Sequence, residues 1–180
     1  MEEGLVIRRA EPQDAAALAR LAERTFIETF GADNTPEDLR MHVGRSYGAQ
    51  QQLAEIANGD IITLVVDAPA GHLVAFSQVR RGPAPACMTL PLPVEIWRFY
   101  VDRRWHGRGV APPLMQRALE AARELGGGSA WLSVWERNPR AIAFYTKCGF
   151  SDVGEKTFVV GTDHQTDRVM AREIPISPAV

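Results

Sequence analysis

The sequence predicts a mixed α/β layer built on a central sheet. Apolar residues at helical spacing come first, β-branched and aromatic runs around short turns follow, and a strand–helix–strand–helix unit precedes two final strands. The first strand is read at 5–8. Glu11 and Pro12 then open a helix, because proline suits the first helical position, where its missing N–H is not needed. Leu18, Leu21, Ala22, Thr25 and Phe26 keep helical spacing and make one apolar face. Thr35 and Pro36, followed by Glu37 and Asp38, start a second helix with a hydroxyl cap and acidic residues in its first turn. A third helical stretch is read at 49–57, ending near Asn58 and Gly59.

The pattern then changes. The runs 61–66 and 73–79 flank a turn at 68–71 and read as a hairpin. The run 94–101 is apolar at most positions on both faces, which predicts a central strand. A helix at 110–125, a strand at 130–135, a helix at 139–147 and strands at 153–160 and 167–174 complete the reading. No repeat, low-complexity tract or linker divides the chain, so residues 1–180 are expected to form one domain.

Composition narrows the function. Lys plus Arg number 20 and Asp plus Glu 22, a net charge of −2, without the basic excess of a nucleic-acid binder. No apolar run is long enough for a membrane span, and the acidic start lacks the basic and apolar regions of a signal peptide. A cytoplasmic protein is therefore expected. The two cysteines, Cys87 and Cys148, are too few and too separate for a disulfide framework or zinc site. No metal and no acyl-cysteine intermediate are expected.

The most informative stretch is RWHGRG at 104–109, between a strand and a helix. Gly107 and Gly109 let the backbone turn sharply, and the following helix points free N–H groups and its positive end at any ligand there. That arrangement suits a pyrophosphate. A dinucleotide fingerprint needs a third glycine where Pro112 stands, a P-loop needs Gly-Lys-Ser/Thr, and a structural turn needs no ligand.

Further residues decide among these. The R-x-x-G-x-G spacing of Arg104, Gly107 and Gly109 resembles the signature of the GNAT acyl-CoA-dependent N-acetyltransferases, and 95–101 looks like that family's fourth strand. NPRAIAFYTKCGF at 138–150 resembles its N-x-x-A-x-x-x-Y-x-x-x-G-F motif. The three pieces stand in family order at family spacing, and the resemblance covers roughly 5–174. It implies a mostly antiparallel sheet of about seven strands with helices on both faces. WERNPRAIAFY at 135–145, GEKTFVVG at 154–161 and TFIETF at 25–30 look like the branch that includes bacterial spermidine/spermine acetyltransferases. One departure is the helix start, where Pro112 and Pro113 remove N–H donors.

The resemblance implies acetyl-CoA as cosubstrate and direct attack by an amine in a ternary complex. Main-chain groups of Phe99, Tyr100 and Val101 would align the pantetheine arm. Arg104, His106, Gly107, Arg108, Gly109, Val110 and Ala111 would receive the phosphates, and Asn138 would bond the arm while capping its helix. Tyr145 is the expected general acid, since a phenol with a pKa near 10 can protonate a departing thiolate with a pKa near 8.5. Glu95 is the expected base, acting through water on an ammonium; pairing with Arg98 or another strand cation is its structural alternative. Phe26, Phe30 and Trp97 are expected to wall the acceptor site. Glu28, Asp33, Glu37, Asp38 and Glu95 would offer negative charge to a polyamine. A peptide or lysine amine, an amine antibiotic, and a non-catalytic acyl-CoA sensor are the competing readings. Homodimers are common in the family, so a homodimer is one further expectation.

Overall fold

A computed structural model describes residues 4–174. The elements are β1 (Val6–Arg9), α1 (Ala15–Phe30), α2 (Pro36–Ser46), α3 (Ala49–Ala57), β2 (Ile61–Asp67), β3 (Leu73–Arg80), β4 (Pro93–Val101), α4 (Ala111–Glu124), β5 (Ser129–Trp135), α5 (Pro139–Lys147), β6 (Ser151–Val160) and β7 (Asp163–Glu173). The seven strands form one sheet in the order β1-β2-β3-β4-β5-β7-β6. Only the β4–β5 pair is parallel, so the sheet is mixed and mostly antiparallel, with β4 at its centre. No described helix is long and apolar enough to cross a membrane.

Local chemistry explains the helix ends. Glu11 and Asp14 form a reciprocal capping box around a short 3-10 turn that leads into α1. Thr35 accepts a hydrogen bond from the Asp38 N–H at 3.1 Å, with Pro36 in the first helical position of α2. Helix α4 stops at Gly126 (φ +82°): the Gly126 N–H donates to Arg123 and the Gly127 N–H to Ala122. The same two bonds recur after α5, from Gly149 (φ +84°) to Thr146 and from Phe150 to Tyr145. Both are left-handed stops that satisfy otherwise orphaned carbonyls. The terminal Gly-Phe of the 138–150 motif is therefore a helix stop that fixes the turn carrying Tyr145.

Two apolar layers sandwich the sheet. On one face, Leu114, Met115, Ala118, Ala121 and Ala122 of α4 pack with Tyr145 and Phe150 on Val94, Ile96, Leu132 and Met170. On the other, Leu18, Leu21, Ala22, Phe26 and Phe30 of α1 pack on Val65, Phe76, Trp135 and Val160. Every position expected on the apolar face of α1 is buried. The last strand differs from its reading: it begins at Asp163 rather than 167, pairing Val160 with Asp163 across a tight hairpin.

A buried polar network stiffens the α1-side layer. Arg98 on β4 donates to Glu55 of α3 at 2.6 Å and to Gln78 of β3 at 2.5 Å, and Gln78 in turn donates to Glu55 at 2.9 Å. Arg98 and Glu55 are both almost fully buried, so each charge depends on the other. Replacing Arg98→Met is expected to strand the Glu55 carboxylate and cost about 3 kcal/mol, read as a lower midpoint in denaturant unfolding. A second buried carboxylate, Asp102, ties the chain after β4 to α1: it accepts from Arg104 at 2.8 Å and from Arg24 at 2.6 Å. Its pKa is pushed well below the usual range, first by the Arg104 side chain and then by the Arg104 N–H and Arg24. A lowered folded pKa stabilises in full above the unfolded value of about 3.9 and is lost as pH falls below it. Asp102→Asn is therefore expected to lower the melting temperature at pH 7 and to flatten the loss of stability below about pH 4.

Candidate active site

The site begins with one extra residue in β4. Pairing runs Gln78 to Arg98 and then Val79 to Ile96, which leaves Trp97 as a bulge. Bulges bend a strand and increase its twist. The ladder between β4 and β5 ends at Glu95 and Trp131, so the two strands part from there on. The guanidinium groups of Arg80 and Arg98 lie 3.8 and 3.7 Å from the Trp97 ring centre and hold the bulge in place. The gap opens into a cavity of about 1030 Å³ that reaches both faces of the sheet. That is roomy even against the roughly 300–1,000 Å³ typical of small-molecule sites.

One end of the cavity is the connection from β4 to α4. Gly107 and Gly109 adopt left-handed backbone, with φ of +76° and +73°, and a side chain at 107 would meet nothing within 4 Å. The first glycine therefore serves backbone turning rather than tight packing. Gly107, Gly109, Val110, Ala111 and Pro112 all line the cavity. Proline at 112 and 113 removes two first-turn donors, and the Leu114 N–H already bonds Val110, so Val110 and Ala111 carry the remaining N–H groups of this helix start. Cationic chemistry stands nearby: Arg140 in the first turn of α5 meets His106 Nδ1 at 2.5 Å, and His106 Nε2 meets the Val101 carbonyl at 2.9 Å. Left-handed glycines, open space and basic side chains fit a phosphate-bearing ligand.

The expected cofactor residues divide. Phe99, Tyr100, Val101, His106, Gly107, Gly109, Val110, Ala111 and Asn138 line the cavity. Arg104 and Arg108 stand outside that wall. The Arg104 guanidinium folds back on Asp102, while Arg108 lies over the Trp105 ring at 5.3 Å. The Val101 carbonyl is engaged by His106, so the β4 edge toward the gap is open only in part. Asn138 caps α5 by accepting from the Ala141 N–H at 3.2 Å.

Tyr145 and Glu95 both reach the cavity. Tyr145 packs edge-on to Phe99 across the gap, with ring centres 6.2 Å apart, and burial pushes its hydroxyl far above the ordinary phenol range. Glu95 takes its structural alternative as well: Arg80, a cation on the neighbouring strand, donates to its Oε2 at 2.5 Å. Phe30 and Trp97 line the cavity. Phe26 does not, being 0% exposed and stacked between Phe30 and His42 in the α1 layer.

Several lining residues had no signal in the sequence. His42 faces the cavity from α2, its pKa lowered mainly by burial. Ser133 on β5, Lys156 on β6 and Asp167 on β7 meet there only through strand register, which sets Asp167 opposite both Trp135 and Lys156. No motif spacing reaches across three strands. Among the described residues, no group of three His, Cys, Asp or Glu side chains is placed to hold a metal ion.

Comparison with known proteins agrees with this geometry. The model of the acetyltransferase (GNAT) family matches residues 16–150. An uncharacterized N-acetyltransferase from the pepI 3′ region of Lactobacillus delbrueckii subsp. lactis is 30% identical over 95% of this chain and 98% of its own. An uncharacterized N-acetyltransferase of Mycobacterium tuberculosis is 31% identical over 89% of this chain and 98% of its own. In fold, the PaiA N-acetyltransferase of Thermoplasma acidophilum, solved with coenzyme A, superposes with a TM-score of 0.75 at 20% identity, covering 94% of this chain and 99% of its own. This chain thus belongs to the GNAT family of acetyltransferases.

Proposed function

We propose that this chain, acting as one domain, transfers the acetyl group of acetyl-CoA directly to the primary amine of a small molecule. The observation that carries the reading is Tyr145, which stands in the cavity wall across from Phe99 where β4 and β5 part. Bound acetyl-CoA supplies the thioester. The loop glycines and Ala111 hold its phosphates, and the main chain of β4 aligns its arm. Tyr145 protonates the departing sulfur. Its raised pKa keeps the hydroxyl protonated at any working pH, and the apolar wall of Phe99 and Phe144 disfavours a free thiolate.

Charge pairing bears on the acceptor. Of the carboxylates that a polyamine would meet, Asp33 is paired with Arg137, Glu95 with Arg80 and Glu37 with Arg40. Asp38 accepts from Thr35 and Thr162 instead. Of those carboxylates, Glu28 alone lines the cavity outside an ion pair among the described residues, so the wall favours an acceptor with one reactive amine and little further positive charge over an extended polycation. A polyamine stays in view because the spermine/spermidine N(1)-acetyltransferase of Bacillus subtilis is 29% identical, over 44% of this chain.

Acetyl-CoA at 100 times its dissociation constant is expected to stabilise the protein by about 2.7 kcal/mol, seen as a raised melting temperature, while NAD gives no shift. Gly109→Asp is expected to abolish that shift, because it sets a side chain and a negative charge on left-handed backbone at the phosphate loop. Tyr145→Phe should lower turnover by about a hundredfold to ten-thousandfold with acetyl-CoA binding kept. Thiol release across a panel of n-butylamine, spermidine and a peptide N-terminus identifies the acceptor class. Near-full turnover in Tyr145→Phe, with chemistry rate-limiting, would assign the tyrosine a packing role.

A further inference from the structure

An attacking amine must first lose a proton, and Glu95 is poorly placed to take it while Arg80 occupies its carboxylate. A second carboxylate is differently situated. Asp167 on β7 lines the cavity yet is only 4% exposed, and its Oδ1 has no hydrogen-bond partner. Ser133 is its diagonal neighbour on β5, and the Ser133 hydroxyl lowers the Asp167 pKa against the effect of burial. Ser133 is only half-buried and lines the same cavity, beside the carboxylate.

We propose that Ser133 and Asp167 form a relay that takes the proton of the acceptor ammonium. The proposal rests on the amine-acetylation reading above and names the groups that activate the acceptor. The acceptor N–H bond breaks as its proton passes to Ser133 Oγ, and the Ser133 hydroxyl proton passes to Asp167. An ammonium and a carboxylate thereby become a neutral amine and a carboxylic acid. The freed lone pair forms the amide bond as the carbon–sulfur bond breaks, Tyr145 gives its proton to sulfur, and the second proton shed by the amide nitrogen passes to the Tyr145 phenolate. The acid proton leaves Asp167 to water between turnovers. Ser133 touches the acceptor, while Asp167 acts through it as a positioning and proton-holding residue.

The surroundings suit a base for neutral pH. Burial raises Asp167 to about pKa 6, with Glu136 adding to the rise. The Ser133 hydroxyl and the Lys156 ammonium on β6 hold it from rising further. A group that is mostly ionised at pH 7, yet binds a proton readily, is what general-base transfer requires. The shift also has a stability sign. Because the folded pKa lies above the unfolded value of about 3.9, ionising Asp167 costs stability as pH rises through that window. Asp167→Asn is therefore expected to melt at or above the wild-type temperature at pH 7.5.

The test combines kinetics with a titration that needs no acceptor. With the best amine of the panel, Asp167→Asn should lower kcat/KM at pH 7 by about a hundredfold and erase the acidic limb near pH 6. Ser133→Ala should weaken the same limb, and both defects should shrink at high pH, where more amine is already neutral. Glu95→Gln should keep that limb. In parallel, the carboxyl carbon of Asp167, followed by NMR, should titrate near pH 6 in the wild type and shift in Ser133→Ala. An intact acidic limb in Asp167→Asn, or loss of the limb in Glu95→Gln alone, would overturn the relay and return the proton to Glu95. An Asp167 that titrates near an ordinary value would overturn it without any acceptor in hand. A wild-type enzyme that responds to no amine, with Asp167 titrating near pH 6, would overturn the acceptor reading and leave the relay supported by its titration.

Discussion

The site depends on the place where a parallel pair of strands stops being a pair. Strand β4 has one residue more than β3 can match, and the surplus falls at Trp97. A bulge there turns β4 away from β5 directly after Glu95 and Trp131. Peptide groups that would have bonded across the sheet are thereby turned toward a cavity, where a ligand that carries amides can satisfy them. An open gap in the middle of a sheet is costly without support. Two arginines stack on the bulged indole, and one of them is buried on Glu55 and Gln78. The opening is thus held from the α1 side by a polar network and from the α4 side by apolar packing.

The same arginines shape the charge of the cavity wall. Arg80 serves Glu95 as well as Trp97, and Arg137 serves Asp33 while lying over Trp135 at 4.9 Å. Neutralised carboxylates attract a cation less, so the number of acidic residues around a cavity is a poor measure of its preference for positive charge. Asp167 stands apart because strand register, not a cation, fixes its position. A carboxylate without a strong ion pair keeps its affinity for protons when it is buried. Glu95 and Asp167 therefore differ in character although both line the cavity: an arginine holds the first, and burial raises the pKa of the second.

The connection from β4 to α4 shows how a family pattern tolerates local change. Two prolines remove donors that a helix start would normally offer, while the preceding glycines keep their left-handed backbone. Arg140 is brought to His106 from the next helix by the Asn138 cap, which sets the direction of the first turn of α5. The side chains of Arg104 and Arg108 brace the loop rather than face the cavity. The R-x-x-G-x-G spacing thus reports a loop conformation, and its first arginine acts through the buried Asp102.

The sequence by itself determined the order and type of nearly every element, because each depends on neighbours a few residues away. Examples are the period of the α1 face, the hydroxyl cap of Thr35 and the glycine stops at 126 and 149. It also determined the glycine turn at 107–109 and the Asn138 to Phe150 helix, since those motifs are contiguous in the chain. Only the tertiary structure decided what depends on register and on contacts far apart in sequence. It placed Phe26 in the core while Phe30, one helical turn on, reached the cavity. It gave Glu95 to Arg80 and Arg98 to Glu55, and it put Ser133, Lys156 and Asp167 around one space. Side chains on three strands meet only after the strands have paired, and a shift of one residue would turn each to the opposite face. No local pattern carries that information.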